Sequence, residues 1–161
     1  EALAEMRPGI VYTSMNCYGY DGPFKGRAGW EQLAQTVTGI AQEHGGSEPA
    51  LLPAAACDYI TGYLAAYGTL LALAKRVEEG GSWHVRASLC QSGMFLFNQR
   101  RVEFEEGADV PEQRINEVIS TSSTPYGEMR HLGPILRLSE TPARWVLPTS
   151  PLGSHEPAWL Q

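Results

Sequence analysis

The chain is poor in cysteine. Cys17, Cys57 and Cys90 stand alone in apolar or turn contexts with no C-x-x-C pair, so neither a disulfide framework nor a zinc site is implied, and reduced thiols in a cytoplasmic protein are expected. Basic residues are also scarce, 12 Lys and Arg against 18 Asp and Glu for a net charge of −6. With no basic patch or charged tail, that balance argues for solubility and against a nucleic-acid surface. No uninterrupted apolar run reaches membrane length. The longest, residues 54–73, is cut by Asp58 and Thr61 and carries several Gly and Ala, which predicts a buried helix and no membrane partner. His44, His84, His131 and His155 show no metal-ligand or triad spacing. Internal repeats are absent. The chain opens on Glu1-Ala2-Leu3-Ala4-Glu5-Met6, without an initiating Met or a signal peptide, as though in mid-helix. This reads as an excised part of a larger protein.

What is present suits an α/β globule, since 43% of the residues are hydrophobic, enough for a core at this length. A helix end at residues 1–6 is stopped by Arg7-Pro8-Gly9. Residues 10–15, β-branched and nearly all apolar, predict a parallel strand covered on both faces. Four glycines and Pro23 between residues 19 and 29 make a loop beyond its carboxyl end, where open α/β sheets bind ligands. Helical spacing over 30–40 places Trp30, Leu33, Ala34, Val37 and Ile40 on one face, followed by a polar loop at 42–49. A long helix is expected over 59–78, thinned by Gly62, Ala65, Ala66, Gly68 and Ala72 and stopped by Gly80-Gly81. Residues 83–89 alternate as a half-covered or edge strand, and 91–101 read as a helix. An irregular acidic stretch at 102–110, a hairpin within 129–138 around Gly133-Pro134, and a proline-punctuated tail with a last turn at 157–160 complete the pattern. The expectation is one α/β domain, residues 1–161, with strand–helix units to 100, a connection over 101–128 and a closing segment from 129.

One carboxylate stands out. Asp58 lies between the uncharged approach Leu51-Leu52-Pro53-Ala54-Ala55-Ala56 and the long helix. By itself this reads as an N-cap, because an Asp oxygen can accept the free N–H groups of a first helical turn. Seven motifs in order add a second reading. Arg7-Pro8-Gly9-Ile10-Val11-Tyr12, then Tyr18-Gly19-Tyr20-Asp21-Gly22-Pro23-Phe24, Gly29-Trp30-Glu31-Gln32-Leu33-Ala34-Gln35 and Asp58-Tyr59-Ile60-Thr61-Gly62 are followed by Ala72-Leu73-Ala74-Lys75-Arg76 with the strand Val85-Arg86-Ala87-Ser88-Leu89. Pro134-Ile135-Leu136-Arg137-Leu138-Ser139-Glu140-Thr141-Pro142 and Pro151-Leu152-Gly153-Ser154-His155 close the series. Together they resemble the class III (CaiB/BaiF) CoA-transferases, which also include acyl-CoA racemases.

The resemblance implies an open, mostly parallel sheet flanked by helices, here partial because the N-terminal segment and the smaller domain of the family are expected to be missing. It implies CoA exchange between carboxylic acids through an aspartyl intermediate on Asp58, with coenzyme A as substrate and no cofactor or metal. Glu31 falls where transferases carry an acidic residue near the reacting carboxyls, and Trp30 where a side chain lines the pocket. Leu89 matches a position near the CoA thiol, whereas Lys25 and Arg27 are either CoA-phosphate or carboxylate ligands or plain solvated loop cations. Racemases carry a proton-moving histidine at the position of Trp30, and an indole has no basic nitrogen. A transferase is therefore favoured over a racemase. The alternative from another class is a non-catalytic structural or dimerising domain. Homo-oligomers follow from the family's interlocked dimers, and the chain alone is expected to be incomplete and inactive.

Overall fold

A computed structural model describes residues 1–102 and 109–158. The chain divides into two compact units, Glu1–Val102 and Glu103–Gln161. Most of the acidic stretch expected to be irregular, and the end of the last turn expected at 157–160, lie outside the described residues.

The first unit is built around two strands, β1 (Val11–Asn16) and β2 (Trp83–Ser88), which pair in parallel with Val11 opposite Trp83 and Asn16 opposite Ser88. A parallel pair needs a long crossover. Here it runs through α2 (Glu31–Val37), α3 (Ile40–Gly45) and the 24-residue α4 (Ala56–Glu79); α1 (Ala2–Met6) precedes β1 and α5 (Leu89–Phe97) follows β2. The fold is α/β, and the parallel sheet among the described residues has two strands. One face of α4 lies on the sheet. Buried Thr61, Ala65 and Ala72 share that face, the Thr69 hydroxyl bonds the Thr13 hydroxyl at 2.7 Å, and a Cβ on Gly68 would come within 2.8 Å of the Val85 side chain. Small residues let helix and sheet approach, as the spacing predicts. Gly80, at φ +70°, ends α4 with its N–H donating to Arg76 O, a conformation that suits a glycine cap.

Several expectations need correction. The face of β1 opposite Thr13 is open at Tyr12, 41% exposed, and on the Thr13 face Met15 is 58% exposed, so the strand is not covered on both faces. Continuous apolar character in so short a run cannot separate a two-sided from a one-sided strand. The helix expected over 30–40 is two helices, because Gly39 takes φ +84° and turns the chain so that α3 occupies much of the expected loop at 42–49. The inner face of α2 is largely polar. Glu31, Ala34 and Gln35 are buried, whereas Trp30 and Val37 are more than half exposed.

The core of this unit gathers Cys17, Ala34, Ile40 and Cys57, with Tyr18, Leu52, Leu89, Cys90, Leu96 and Phe97 packed against them. It lies beyond the carboxyl ends of β1 and β2, where Cys17 O accepts the Cys90 N–H at 2.9 Å. The cysteines that stand alone in sequence thus converge. Ser88 caps α5, its Oγ accepting the Gln91 N–H at 3.3 Å. This Ser-x-x-Gln signature explains why the helix begins at Leu89, two residues before the expected start.

The second unit holds α6 (Glu112–Val118) and an antiparallel hairpin of β3 (Ile119–Thr124) and β4 (Gly127–Leu132). Its turn is at Pro125-Tyr126, with Gly127 at φ +99°, rather than around Gly133-Pro134. On the hairpin's half-buried face Ser122 Oγ and His131 Nε2 are hydrogen-bonded at 2.8 Å. Among the described residues no helix is long and apolar enough to cross a membrane, and no group of His, Cys, Asp or Glu could hold a metal ion.

Two glycines test the packing. A Cβ on Gly93 of α5 would lie 2.9 Å from Thr38 Cγ2 and 3.3 Å from Cys57 Sγ, while a Cβ on Gly62 of α4 meets nothing within 4 Å. Gly93→Ala should therefore cost about 1–3 kcal/mol through overpacking. Gly62→Ala should instead gain up to about 1 kcal/mol from helix propensity. Urea unfolding of both variants checks the opposite signs.

Candidate active site

The site forms where α2 meets the first turn of α4. Because α4 begins at Ala56, Asp58 is not its N-cap; Ala55 holds that position and offers no side-chain bond. The expected cap role falls instead to Glu31. Its Oε1 accepts the Cys57 N–H at 3.1 Å and its Oε2 accepts the Asp58 N–H at 2.6 Å, so one carboxylate takes two of the amides that a helix start leaves unpartnered. An anion at this end of the helix is also favoured by the macrodipole. Glu31 is only 5% exposed, and a buried charge survives only where hydrogen bonds replace its water.

Gln35, one helical turn on, supplies another. Its Nε2 donates to Glu31 Oε1 at 2.6 Å and to Ala54 O at 3.1 Å, and its Oε1 accepts the Leu52 N–H at 2.8 Å. The amide is 1% exposed. The apolar approach to Asp58 is thus tied to the same helix that carries Glu31. Thr61 continues the network inside α4, its Oγ1 lying 2.6 Å from Cys57 O and 2.8 Å from Ser92 Oγ of α5. The Glu31–Gln35 spacing of four residues is a legible signal for a pair on one helix face, although amphipathic patterning assigns that face to the apolar residues.

Asp58 itself is exposed at the surface of this network, its amide held by Glu31 and its carboxylate in no hydrogen bond or ion pair among the described residues. Partial desolvation, then the nearby charge of Glu31, raise its pKa from the ordinary carboxylate value. Both effects disfavour the charged form, giving a more basic oxygen than a solvated Asp would offer. The neighbouring thiols are silenced. Burial first, and Glu31 next, push Cys57 up to about 12; burial and Cys17 push Cys90 up to about 11; burial also raises Cys17. All three stay protonated at neutral pH and are poor nucleophiles.

The remaining candidates are spread around this pair. Trp30 is 57% exposed at the start of α2, preceded by Gly29, where a Cβ would collide with the Cys17 side chain. Leu89 packs against the core as the first residue of α5. Lys25 and Arg27 are exposed in the glycine-rich loop, with the Arg27 guanidinium 4.5 Å above the Phe24 ring. Among the described residues no hydrogen bond or ion pair joins either cation to Glu31 or Asp58. The structure thus brings Glu31 and Asp58 together and adds Gln35, which the patterning of the sequence passes over.

Known proteins are similar to this chain in sequence and in fold. The chain is 40% identical over 85 residues to an acetyl-coenzyme A transferase of Hypoxylon pulicicidum, covering 50% of this chain and 14% of that protein. It is 33% identical over 95 residues to the human succinyl-CoA:glutarate CoA-transferase, covering 57% and 22%. A succinyl-CoA–L-malate CoA-transferase beta subunit of Chloroflexus aurantiacus is 30% identical over 95 residues, covering 57% and 24%. The chain therefore spans about a quarter or less of the length of these relatives. In fold it is similar to a CaiB/BaiF family protein from Brucella suis, with a TM-score of 0.57 at 21% identity over 79% of this chain and 35% of that one. The pattern of CoA-transferase family III matches residues 1–127, and the chain belongs to that family.

Proposed function

We propose that this chain carries the nucleophile of a CoA-transferase that moves CoA between carboxylic acids, and that the nucleophile is Asp58. The observation that carries the reading is an exposed carboxylate whose own backbone amide is held by a buried second carboxylate. A carboxylate oxygen of Asp58 attacks the thioester carbonyl of an acyl-CoA, the C–S bond breaks, and CoA leaves as thiolate from a mixed anhydride. The thiolate then attacks the Asp58 carbonyl and expels the donor acid, leaving an aspartyl-CoA thioester. An acceptor carboxylate reverses the two steps and regenerates Asp58. No electrons are gained or lost.

Glu31 serves this chemistry through its charge and its grip on α4. Trp30 and Leu89 offer apolar surface for the acyl and thiol ends, and Lys25 and Arg27 offer positive charge for phosphates or a carboxylate. The absence of a basic nitrogen at Trp30 supports transfer over racemisation. Three free thiols support a reducing compartment, the cytoplasm. We place turnover in an enzyme that carries this chain with further sequence, the 161 residues alone being inactive. A purely structural, dimerising role is the second reading, favoured by the exposed Tyr59, Tyr63, Tyr67, Leu70 and Leu71 along α4. In either case apolar surface of this extent seeks a partner. Light scattering should show a homodimer or larger assembly, and a monomer at every concentration would contradict it.

The aspartyl intermediate is read directly by trapping. In an active enzyme carrying this chain, an acyl-CoA donor followed by hydroxylamine should leave a hydroxamate on Asp58, located by fragmentation of the tryptic peptide that ends at Lys75 and also holds Glu31. Asp58→Asn should abolish the adduct and lower activity by several orders of magnitude. An adduct on Glu31, or an Asn variant with unchanged rate, refutes the assignment.

The same variant reads the electrostatics. Because folding raises the Asp58 pKa, the unfolded chain gives up this proton first as pH rises, and stability falls from the unfolded pKa up to the folded one. Asp58→Asn cannot ionise and escapes that loss. Chemical unfolding should show the variant gaining on the parent through the carboxylate range, with a constant difference at higher pH and none at lower pH.

A further inference from the structure

Gln35 makes three hydrogen bonds from a side chain that is 1% exposed, and no bond is spent on its own helix backbone. One reaches the carboxylate that holds the amides of Cys57 and Asp58, and the other two grip Ala54 and Leu52 on the chain leading into α4. A buried amide with both ends engaged fixes geometry in a way that a solvated one cannot. We propose that Gln35 is a positioning residue for Asp58. It locks the Glu31 carboxylate against the first turn of α4 and thereby sets the placement of the nucleophile. This rests on the reading of Asp58 as nucleophile, but the coupling it describes is a property of the folded chain.

The energetics favour this role over simple core filling. Glu31 has three donors, two of them backbone groups and the third Gln35 Nε2, and none of the ion pairs among the described residues includes it. The titratable groups that face Glu31 and Asp58 are the thiols of Cys57 on α4 and Cys17 after β1, with Cys90 of α5 behind them against Cys17, all neutral at physiological pH. Gln35 is therefore the buried amide donor that holds the Glu31 carboxylate in place. Without it the Glu31 carboxylate turns away, Cys57 and Asp58 lose the acceptor for their amides, and Asp58, raised first by its partial burial, loses the Glu31 charge that adds to that rise.

Gln35→Met keeps the volume and removes both polar ends. In the 161-residue chain, amide exchange at Cys57 and Asp58 should quicken by roughly 10- to 100-fold relative to the average of α4, the effect of losing a bond to a charged group. The Asp58 carboxyl, followed by carbon-13 NMR, should titrate nearer the ordinary carboxylate range than in the parent. Glu31→Gln should move the Asp58 titration the same way with Gln35 intact. If Gln35→Met fails to fold, Gln35→Glu decides. When protonated its hydroxyl can donate to Glu31, and when ionised it cannot, so protection of the Cys57 and Asp58 amides should collapse as pH rises through its titration. An Asp58 titration unchanged in Gln35→Met, or amide protection in Gln35→Glu independent of pH, overturns the proposal. Neither result depends on turnover, so a failed hydroxamate test leaves this coupling standing and its loss leaves the trapping result untouched.

Discussion

Two N–H groups at the start of α4 meet one carboxylate from α2, and much of the first unit is arranged around that contact. A helix start leaves amides that must be satisfied, and at Cys57 and Asp58 the acceptor comes from 26 and 27 residues away rather than from a local cap. Local capping would have tied up the Asp58 side chain. Long-range capping by Glu31 leaves it available, and brings a negative charge close to the Asp58 carboxylate.

The arrangement has a cost that the surrounding core meets. Glu31, Gln35, Thr38 and Thr61 are buried polar groups in a small core, and each would be destabilising without a partner. All are bonded, and no buried side-chain N or O among the described residues lacks one. Val37 of α2 and Trp30 before it are left outward. Room for the network comes from close packing on its other side, where Gly93 lets α5 approach Thr38 and Cys57. Three cysteines fill the same space as small apolar groups, and burial next to negative charge keeps their thiols neutral. The exposed Asp58 carboxylate thus sits beside sulfur that stays protonated.

Membership of CoA-transferase family III and the electrostatics of the site bear on the same atom. The family match spans residues 1–127, which include β1, the glycine-rich loop, α2 and α4. Asp58 lies near the carboxyl ends of β1 and β2, close to the core formed there, where α/β sheets present ligand sites. A covalent route asks for a carboxylate that is basic enough to attack and held in one place. The raised pKa of Asp58, through burial first and the Glu31 charge second, and its captured amide bear on those two demands separately.

Local chemistry made several elements legible in the sequence. Pro8-Gly9 ends α1, the β-branched run makes β1, Gly80 caps α4, and the small residues of α4 mark its contact with the sheet, because each acts through its own backbone or its immediate neighbours. The motif order also pointed to Asp58, Glu31 and the family. The tertiary structure alone decided that α2 turns a polar face inward, that Glu31 rather than Asp58 caps α4, and that Gln35 joins them. It also gathered Cys17, Cys57 and Cys90 and moved the hairpin turn to Pro125-Tyr126. Each of these depends on partners distant in sequence or on competition between two plausible turns. Hydrophobic periodicity assumes that burial follows apolarity, and that assumption fails where a buried carboxylate and amide are stabilised by backbone groups whose positions exist only after the chain has folded.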